Sequence, residues 1–402
     1  MTDSARAAPT ASRQLIWTLA ALASFGPLST DMYLPGLPSL TRDLHTSAAA
    51  ANLTLTASVL GLGLGQLIAG PASDQLGRRR PLLVGLAGFA LASALCAAAP
   101  SVWVLTAVRL VQGLCGGAGI VIARAIIRDL YGGTQAARMY ATQMAITGVA
   151  PILAPLIGGG VLTVSSWRGV FLVLTATGVC LVALATRSVP ETLPVAQRSG
   201  GGMRASVRML GGLVSDRAFT PYCVAFACSF GAMFAYISGG SYVLENVYGI
   251  SPQLFSAIFA GNSLGFMALS HLSARVVDRF GSMRLLRWGL VAVCAGALGV
   301  LAVTADRGAI WVLLIVLFCV VAANGLALSN GVAAAMASRP QALGSASALL
   351  GLAQFGLGAA IAPLVGLGGA RDALPMGIVM AACGAVALGA SLTFSDRRPA
   401  AV

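Results

Sequence analysis

The chain has no lysine, two histidines and 12 acidic residues among 402, and charged residues make up only 9% of it. A soluble domain carries about a quarter of its residues as charges, and a disordered chain combines high charge with low hydrophobicity. Both classes are excluded. The eight cysteines lie in apolar stretches without Cys-x-x-Cys or Cys/His spacing, so they read as small packing residues and not as a disulfide or metal framework. His45 and His271 are far apart and have no Cys or Glu at ligand spacing, which leaves no metal site. A Gly-x4-Gly-Lys-Ser/Thr phosphate loop is also missing, so ATP is not the expected energy source. Without a catalytic constellation, the expectation is that the chain is not an enzyme.

What the sequence has is apolar length. It is 57% hydrophobic, with a mean hydropathy of +0.87. Spans are predicted at 14–37, 48–72, 80–99, 103–127, 137–162 and 167–189, and again at 219–243, 253–276, 283–304, 308–332, 342–367 and 373–394. At about 20 residues per crossing, these twelve spans use up nearly the whole chain. The predicted architecture is an all-α polytopic membrane protein of two six-helix bundles, 1–190 and 219–402, joined by a polar linker, 191–218. The first run follows Arg6 and Arg13 as a signal peptide would. It continues through Asp31 and Pro35 into eleven more spans, so it reads as a retained anchor.

A net charge of +13 would suggest nucleic acid in a soluble chain. Here 20 of the 25 arginines fall on the side of the two termini, four (Arg42, Arg168, Arg307, Arg371) on the other, and Arg109 inside a span. That is the positive-inside pattern, which puts both termini in the cytoplasm and excludes nucleic acid. Within the linker, Arg204 and Arg208 beside Val207 and Leu210 fit either a short helix on the inner leaflet or a solvated coil.

The halves echo each other. Asp74-Gln75-Leu76-Gly77-Arg78 returns as Asp278-Arg279-Phe280-Gly281 204 residues later, and Ala154-Pro155-Leu156-Ile157-Gly158 returns as Ala362-Pro363-Leu364-Val365-Gly366 after 208. Two echoes at nearly one offset indicate a duplicated six-helix unit, a frequent architecture of secondary transporters.

Asp31 is the sole acid deep in a span, at an insertion cost of about 2.5 to 3.5 kcal/mol. Asp31 and Arg109 each lie about six residues, or roughly 9 Å, below the same membrane face. They are depth-matched, could pair across the bundle, and form the candidate proton-coupling site; the alternative is that Asp31 caps backbone near Pro35 at a broken helix end. Burial favours the protonated carboxyl and a guanidinium the ionised one, so the balance responds to water and substrate. Glu245 at the outer mouth is the reserve candidate. In the fifth span Gly148, Pro151, Pro155 and Gly158 share one face and predict a bent helix whose freed carbonyls must lie against another helix or a cavity.

Gly65-Gln66-Leu67-Ile68-Ala69-Gly70-Pro71-Ala72-Ser73-Asp74-Gln75-Leu76-Gly77-Arg78-Arg79-Arg80 resembles the loop signature of the major facilitator superfamily. Arg109-Leu110-Val111-Gln112-Gly113 is similar to its fourth-helix motif, and 148–160 to the fifth-helix motif of drug/proton antiporters. Ser29-Thr30-Asp31-Met32-Tyr33-Leu34-Pro35, Met233-Phe234-Ala235-Tyr236 and Gly344-Ser345-Ala346 resemble the Bcr/CflA group of drug efflux proteins. The second-half loop lacks counterparts of Gly65, Gly70 and Pro71. The resemblance implies a monomeric exporter of small amphipathic drugs in the bacterial inner membrane, with protons as coupling ion and no other cofactor. Its partners would be drug, protons and membrane lipid; a proton symporter or a metabolite exporter on the same fold is the alternative. It further implies an inner charge network of Asp74, Arg78 and Asp129 that latches the halves when the cavity faces outward. A substrate cavity between the halves would draw on Tyr33, Gln112, Met144, Phe234, Tyr236, Asn262 and Gln354.

Overall fold

A computed structural model describes residues 13–131, 133–198, 219–338 and 343–394. The part of the linker expected to hold an amphipathic helix lies outside the described residues. Among those described there is no strand, and eleven helices are long and apolar enough to cross a membrane.

The first span departs from the continuous helix that its hydropathy predicts. It is broken into α1 (Arg13–Ala23), α2 (Phe25–Asp31), a 3-10 turn (Leu34–Gly36) and α3 (Leu37–Asp43). Proline is the cause. Pro27, Pro35 and Pro38 have no amide hydrogen to continue a helix, and each sits in the opening residues of a new segment, where none is needed.

The helices that follow are α4 (Ala48–Leu76), α5 (Arg79–Ala97), α6 (Val102–Leu130), α7 (Gly133–Val164) and α8 (Trp167–Ser188). After the linker come α9 (Thr220–Ser241), α10 (Pro252–Phe280), α11 (Ser282–Ala305), α12 (Ile310–Ser338), α13 (Leu343–Val365) and α14 (Leu374–Leu392). The inter-helix loops holding Arg42, Arg168, Arg307 and Arg371 gather at one end, hereafter the arginine-poor end. Trp103 and Trp311 are exposed near that end and Trp17 and Trp288 near the other, as interfacial aromatics are.

The repeat extends to the helix caps. α4 opens on Ser47, whose hydroxyl accepts from the Ala50 amide, and ends at Gly77 with φ 91°. α10 opens on Ser251, which accepts from the Leu254 amide, and ends at Gly281 with φ 79°. Both glycines hold a backbone conformation that side chains disfavour. In the first half α4 and α6 touch backbone to backbone. A Cβ on Gly61 would strike the Leu110 carbonyl, and one on Gly113 the Ser58 carbonyl. Such small-residue seams bring helices close without water or charge.

The halves meet along two seams, α4 with α13 and α7 with α10. Among the described residues, five hydrogen bonds cross between them. They run from Asn52 Nδ2 to the Ala362 carbonyl (3.0 Å), from Thr56 Oγ1 to the Ala359 carbonyl (2.8 Å), from Gln253 Nε2 to the Gly159 carbonyl (3.4 Å), from Ser263 Oγ to the Pro151 carbonyl (3.3 Å), and between the Thr41 and Tyr242 hydroxyls (2.7 Å). All five lie in the arginine-poor half of the bundle, so the molecule is closed at that end.

Candidate functional site

Arg109 is fully buried in the first half. Its Nη1 donates to the Ser29 carbonyl at 2.8 Å and to Gln112 Oε1 at 2.7 Å. Gln112 Nε2 in turn donates to Ser93 Oγ, and Ser93 to the Phe89 carbonyl, each at 2.7 Å. The guanidinium lies over the rings of Tyr33 (4.7 Å) and Phe171 (5.5 Å), a cation–π setting. Its Nε and Nη2 are buried without a hydrogen-bond partner. Tyr33 bonds through its hydroxyl to Thr54.

Asp31 ends α2 and is buried. Its Oδ1 accepts from Thr30 Oγ1 at 2.9 Å. The pairing that matched depth allowed between Asp31 and Arg109 is not formed: none of the three ion pairs among the described residues joins them. The break after Asp31 explains why. Depth arithmetic assumes a straight helix, whereas the short α2 offers Arg109 a terminal carbonyl as acceptor instead. Glu245 lies in a π-helical turn, Tyr242–Val247, that prolongs α9, and its Oε1 is buried without a partner.

At the arginine-rich end, Arg78 is 2% exposed and reaches two carboxylates, Asp74 Oδ1 through Nη1 (2.6 Å) and Asp129 Oδ2 through Nε (2.8 Å), together with Ser73 Oγ (2.8 Å). Burial pulls the guanidinium pKa down, and Asp129 and then Asp74 more than restore it, leaving it above its ordinary value. Sequence reasoning missed Glu191. Its Oε1 accepts from the Arg78 and Leu193 amides (2.8 and 3.0 Å) and its Oε2 from the Arg79 amide (3.2 Å). Thr192 Oγ1 adds a bond to Asp129 Oδ2 at 3.1 Å. The available signal was an acid just past the end of the sixth span, on the face shared with the Arg78 loop. Every described partner belongs to the first half, so among the described residues the network ties α4, α6 and the chain after α8 together and does not bridge the halves.

The fifth-span motif is a continuous helix through Pro151 and Pro155. Gly158 lies where a Cβ would strike the Met32 carbonyl, at the break of the first span, while Gly148 has only ordinary contact with Met267. The residues expected to line a cavity fall into separate groups. Tyr33 and Gln112 belong to the Arg109 network. Asn262 Nδ2 donates to the Tyr236 hydroxyl at 2.8 Å, joining α10 to α9, and Tyr236 stacks on Phe259 at 5.5 Å. Phe234 stacks on Phe230 at 5.6 Å, and Phe230 meets Phe355 edge-on at 6.4 Å, next to the half-buried Gln354. The Met144 side chain lies outside the described residues. No group of three metal-ligating side chains occurs among those described.

A duplicated bundle of membrane-crossing helices, closed at one end and holding buried charge within one half, defines a membrane transporter. A family model of the Major Facilitator Superfamily matches residues 19–363, and the chain belongs to that family. It is 38% identical to the MFS-type transporter YdgK of Bacillus subtilis, over 91% of each chain. It is 32% identical to a bicyclomycin resistance protein homolog of Haemophilus influenzae, over 92% of each. Among solved structures it resembles the nucleoside transporter NupG (TM-score 0.75, 14% identity, covering 95% of this chain and 100% of that one), a likeness of fold alone.

Proposed function

We propose that the chain is a proton-coupled antiporter that exports small amphipathic drugs across the bacterial inner membrane, with both termini in the cytoplasm. The observation that carries this reading is Asp31, a carboxyl buried at the break of the first span with a neighbouring hydroxyl as its described hydrogen-bond partner, and with the buried Arg109 bound to the backbone two residues away. A carboxyl so placed can take up and release a proton as the site is exposed to one side and then the other. Relatives named for bicyclomycin, chloramphenicol and multidrug resistance supply the substrate class.

The working unit is a monomer of two bundles, 1–190 and 219–402, that rock about the α4/α13 and α7/α10 seams, with 191–218 as the tether. The proton is the coupling ion, and no further cofactor is needed. One charge crossing the membrane supplies about 2.3 kcal/mol per 100 mV, enough for a gradient of tens-fold. The test is expression in an efflux-deficient host against a drug panel including bicyclomycin and chloramphenicol, paired with proton release from everted vesicles on drug addition. Resistance with drug-induced proton release supports the reading. Substrate accumulation accompanied by proton uptake in the same direction replaces it with symport.

A further inference from the structure

Two prolines at the seams leave carbonyls open, and both carbonyls are filled from the opposite half. In an α-helix each amide donates to the carbonyl four residues back, so proline deprives that carbonyl of its helical donor. Pro155 thereby frees the Pro151 carbonyl, and Pro363 frees the Ala359 carbonyl; both prolines lie inside continuous helices. Ser263 Oγ of α10 lies 3.3 Å from the first and Thr56 Oγ1 of α4 lies 2.8 Å from the second. The acceptors are related by the 208-residue offset of the repeat, and the donors sit on the repeat-related helices α4 and α10. Ser263 shares its hydrogen with its own Phe259 carbonyl at 3.0 Å, which makes that latch the weaker of the two.

We infer that Thr56 and Ser263 are paired gate residues, each supplying from across a seam the hydrogen bond that a proline withholds, and so favouring the state closed at the arginine-poor end. A carbonyl in a membrane interior is costly when unpaired. When the halves separate at this end, each hydroxyl withdraws and its carbonyl must find water or remain unpaired. Thr56 lies about eight residues and Ser263 about eleven beyond the starts of their helices, roughly 12 and 16 Å in from that end. The bonds are therefore deep enough for water entry to accompany opening. The prolines matter here beyond any bend they introduce, because they create acceptors whose satisfaction depends on conformation.

This inference rests on the reading that the halves rock, but its test reads conformation and needs no transported substrate. Spin labels at His45 and Asp306, on arginine-poor loops of opposite halves, report the closed-to-open ratio in the full chain in nanodiscs. Thr56→Val is expected to shift that ratio toward open by about threefold, the average of side-chain hydrogen bonds measured within membranes, and Ser263→Ala by a smaller factor in the same direction. Thr56→Ser keeps the hydroxyl and is expected to keep the wild-type ratio. The decisive comparison restores the helical donor. Pro155→Ala satisfies the Pro151 carbonyl in both states, so it should itself shift the ratio toward open, and adding Ser263→Ala should then change nothing. Pro363→Ala stands in the same relation to Thr56→Val. Equal shifts from Ser263→Ala with and without Pro155→Ala, or no shift in either case, would overturn the inference. Pro155→Ala gives up two ring methylenes at a buried position but adds a helical hydrogen bond, and because Ser263→Ala is read on each background against its own parent, the comparison does not hinge on a variant that fails to fold.

Discussion

Arg109 Nη1 donates to the Ser29 carbonyl at 2.8 Å, two residues before the carboxylate at matching depth. Ser29 is in the last turn of α2, whose final carbonyls have no helical donors. The guanidinium caps that helix end and meets the negative pole of its dipole. Arg109 therefore holds the break in the first span in place and leaves the Asp31 carboxyl without a fixed ionic partner.

That arrangement separates coupling from stability. Asp31→Asn retains the shape of the side chain and an acceptor for Thr30 but removes the titrating group. It is expected to abolish drug-driven proton release and resistance while leaving the protein folded and inserted, because no ion pair is broken and the Thr30 bond keeps its acceptor. Thermal melting and vesicle proton assays on the same preparation check this. Wild-type coupling in the variant would move the proton site, with Glu245 the next carboxyl to test.

Glu191 carries a pH dependence. Burial opposes ionisation of its carboxyl, but the amides of Arg78, Leu193 and Arg79 outweigh burial and hold its pKa below the ordinary value of 4.5. With the folded value depressed, its stabilisation is complete above pH 4.5 and is lost as pH falls through the folded value. Glu191→Gln is expected to cost about 1 kcal/mol at pH 7, a charged hydrogen-bond value discounted for exposure. The difference from wild type should close in melts taken below the depressed folded value, on the acid side of 4.5. A gap that persisted there would mean that the loss came from packing.

The α4/α6 seam makes a steric prediction. A Cβ on Gly113 would meet the Ser58 carbonyl and approach Gly61 Cα and the Leu62 amide to 3.0 Å, all backbone atoms that cannot swing aside. Gly113→Ala is expected to destabilise by about 2 kcal/mol or more. Gly160, with nothing within 4 Å of a built Cβ, is the control. There alanine should stabilise by up to about 1 kcal/mol through helix propensity. The two melting temperatures should move in opposite directions.

The sequence made the fold legible because membrane insertion imposes length, hydropathy and arginine asymmetry locally, and the echoes at Gly77/Gly281 and Pro155/Pro363 already carried the duplication. The break after Ala23 was hidden because hydropathy does not register a helix end when Pro27 and Pro35 sit in an apolar run. The partner of Arg109 was hidden for the same reason. Arg78, Asp74 and Asp129 were readable through the resemblance. Glu191 and Ser263 were not, because each acts on a main-chain group distant in sequence, and side-chain types do not reveal which backbone atoms are unsatisfied.

The residues proposed for the cavity fall into two sets. Tyr33 and Gln112 are committed to Arg109 and Thr54, and Asn262 to Tyr236, so truncating them leaves buried polar groups unpaired. Phe234 and Gln354 sit beside Phe230 and Phe355, and Phe355 reaches the seam with its Cβ 3.6 Å from a Cβ built on Gly63 of α4. Aromatic faces with one amide near the junction of the halves suit amphipathic ligands of differing shape. Alanine at Phe234, Phe355 or Gln354 is expected to change the ranking of drugs in a resistance panel, by severalfold for some and little for others. Alanine at Tyr33, Gln112 or Asn262 should lower resistance to all drugs together, in step with protein level. Expression-normalised inhibitory concentrations distinguish the two patterns. Uniform losses at Phe234, Phe355 and Gln354 would remove this cluster from the binding site and turn the search to the facing residues of α4 and α7.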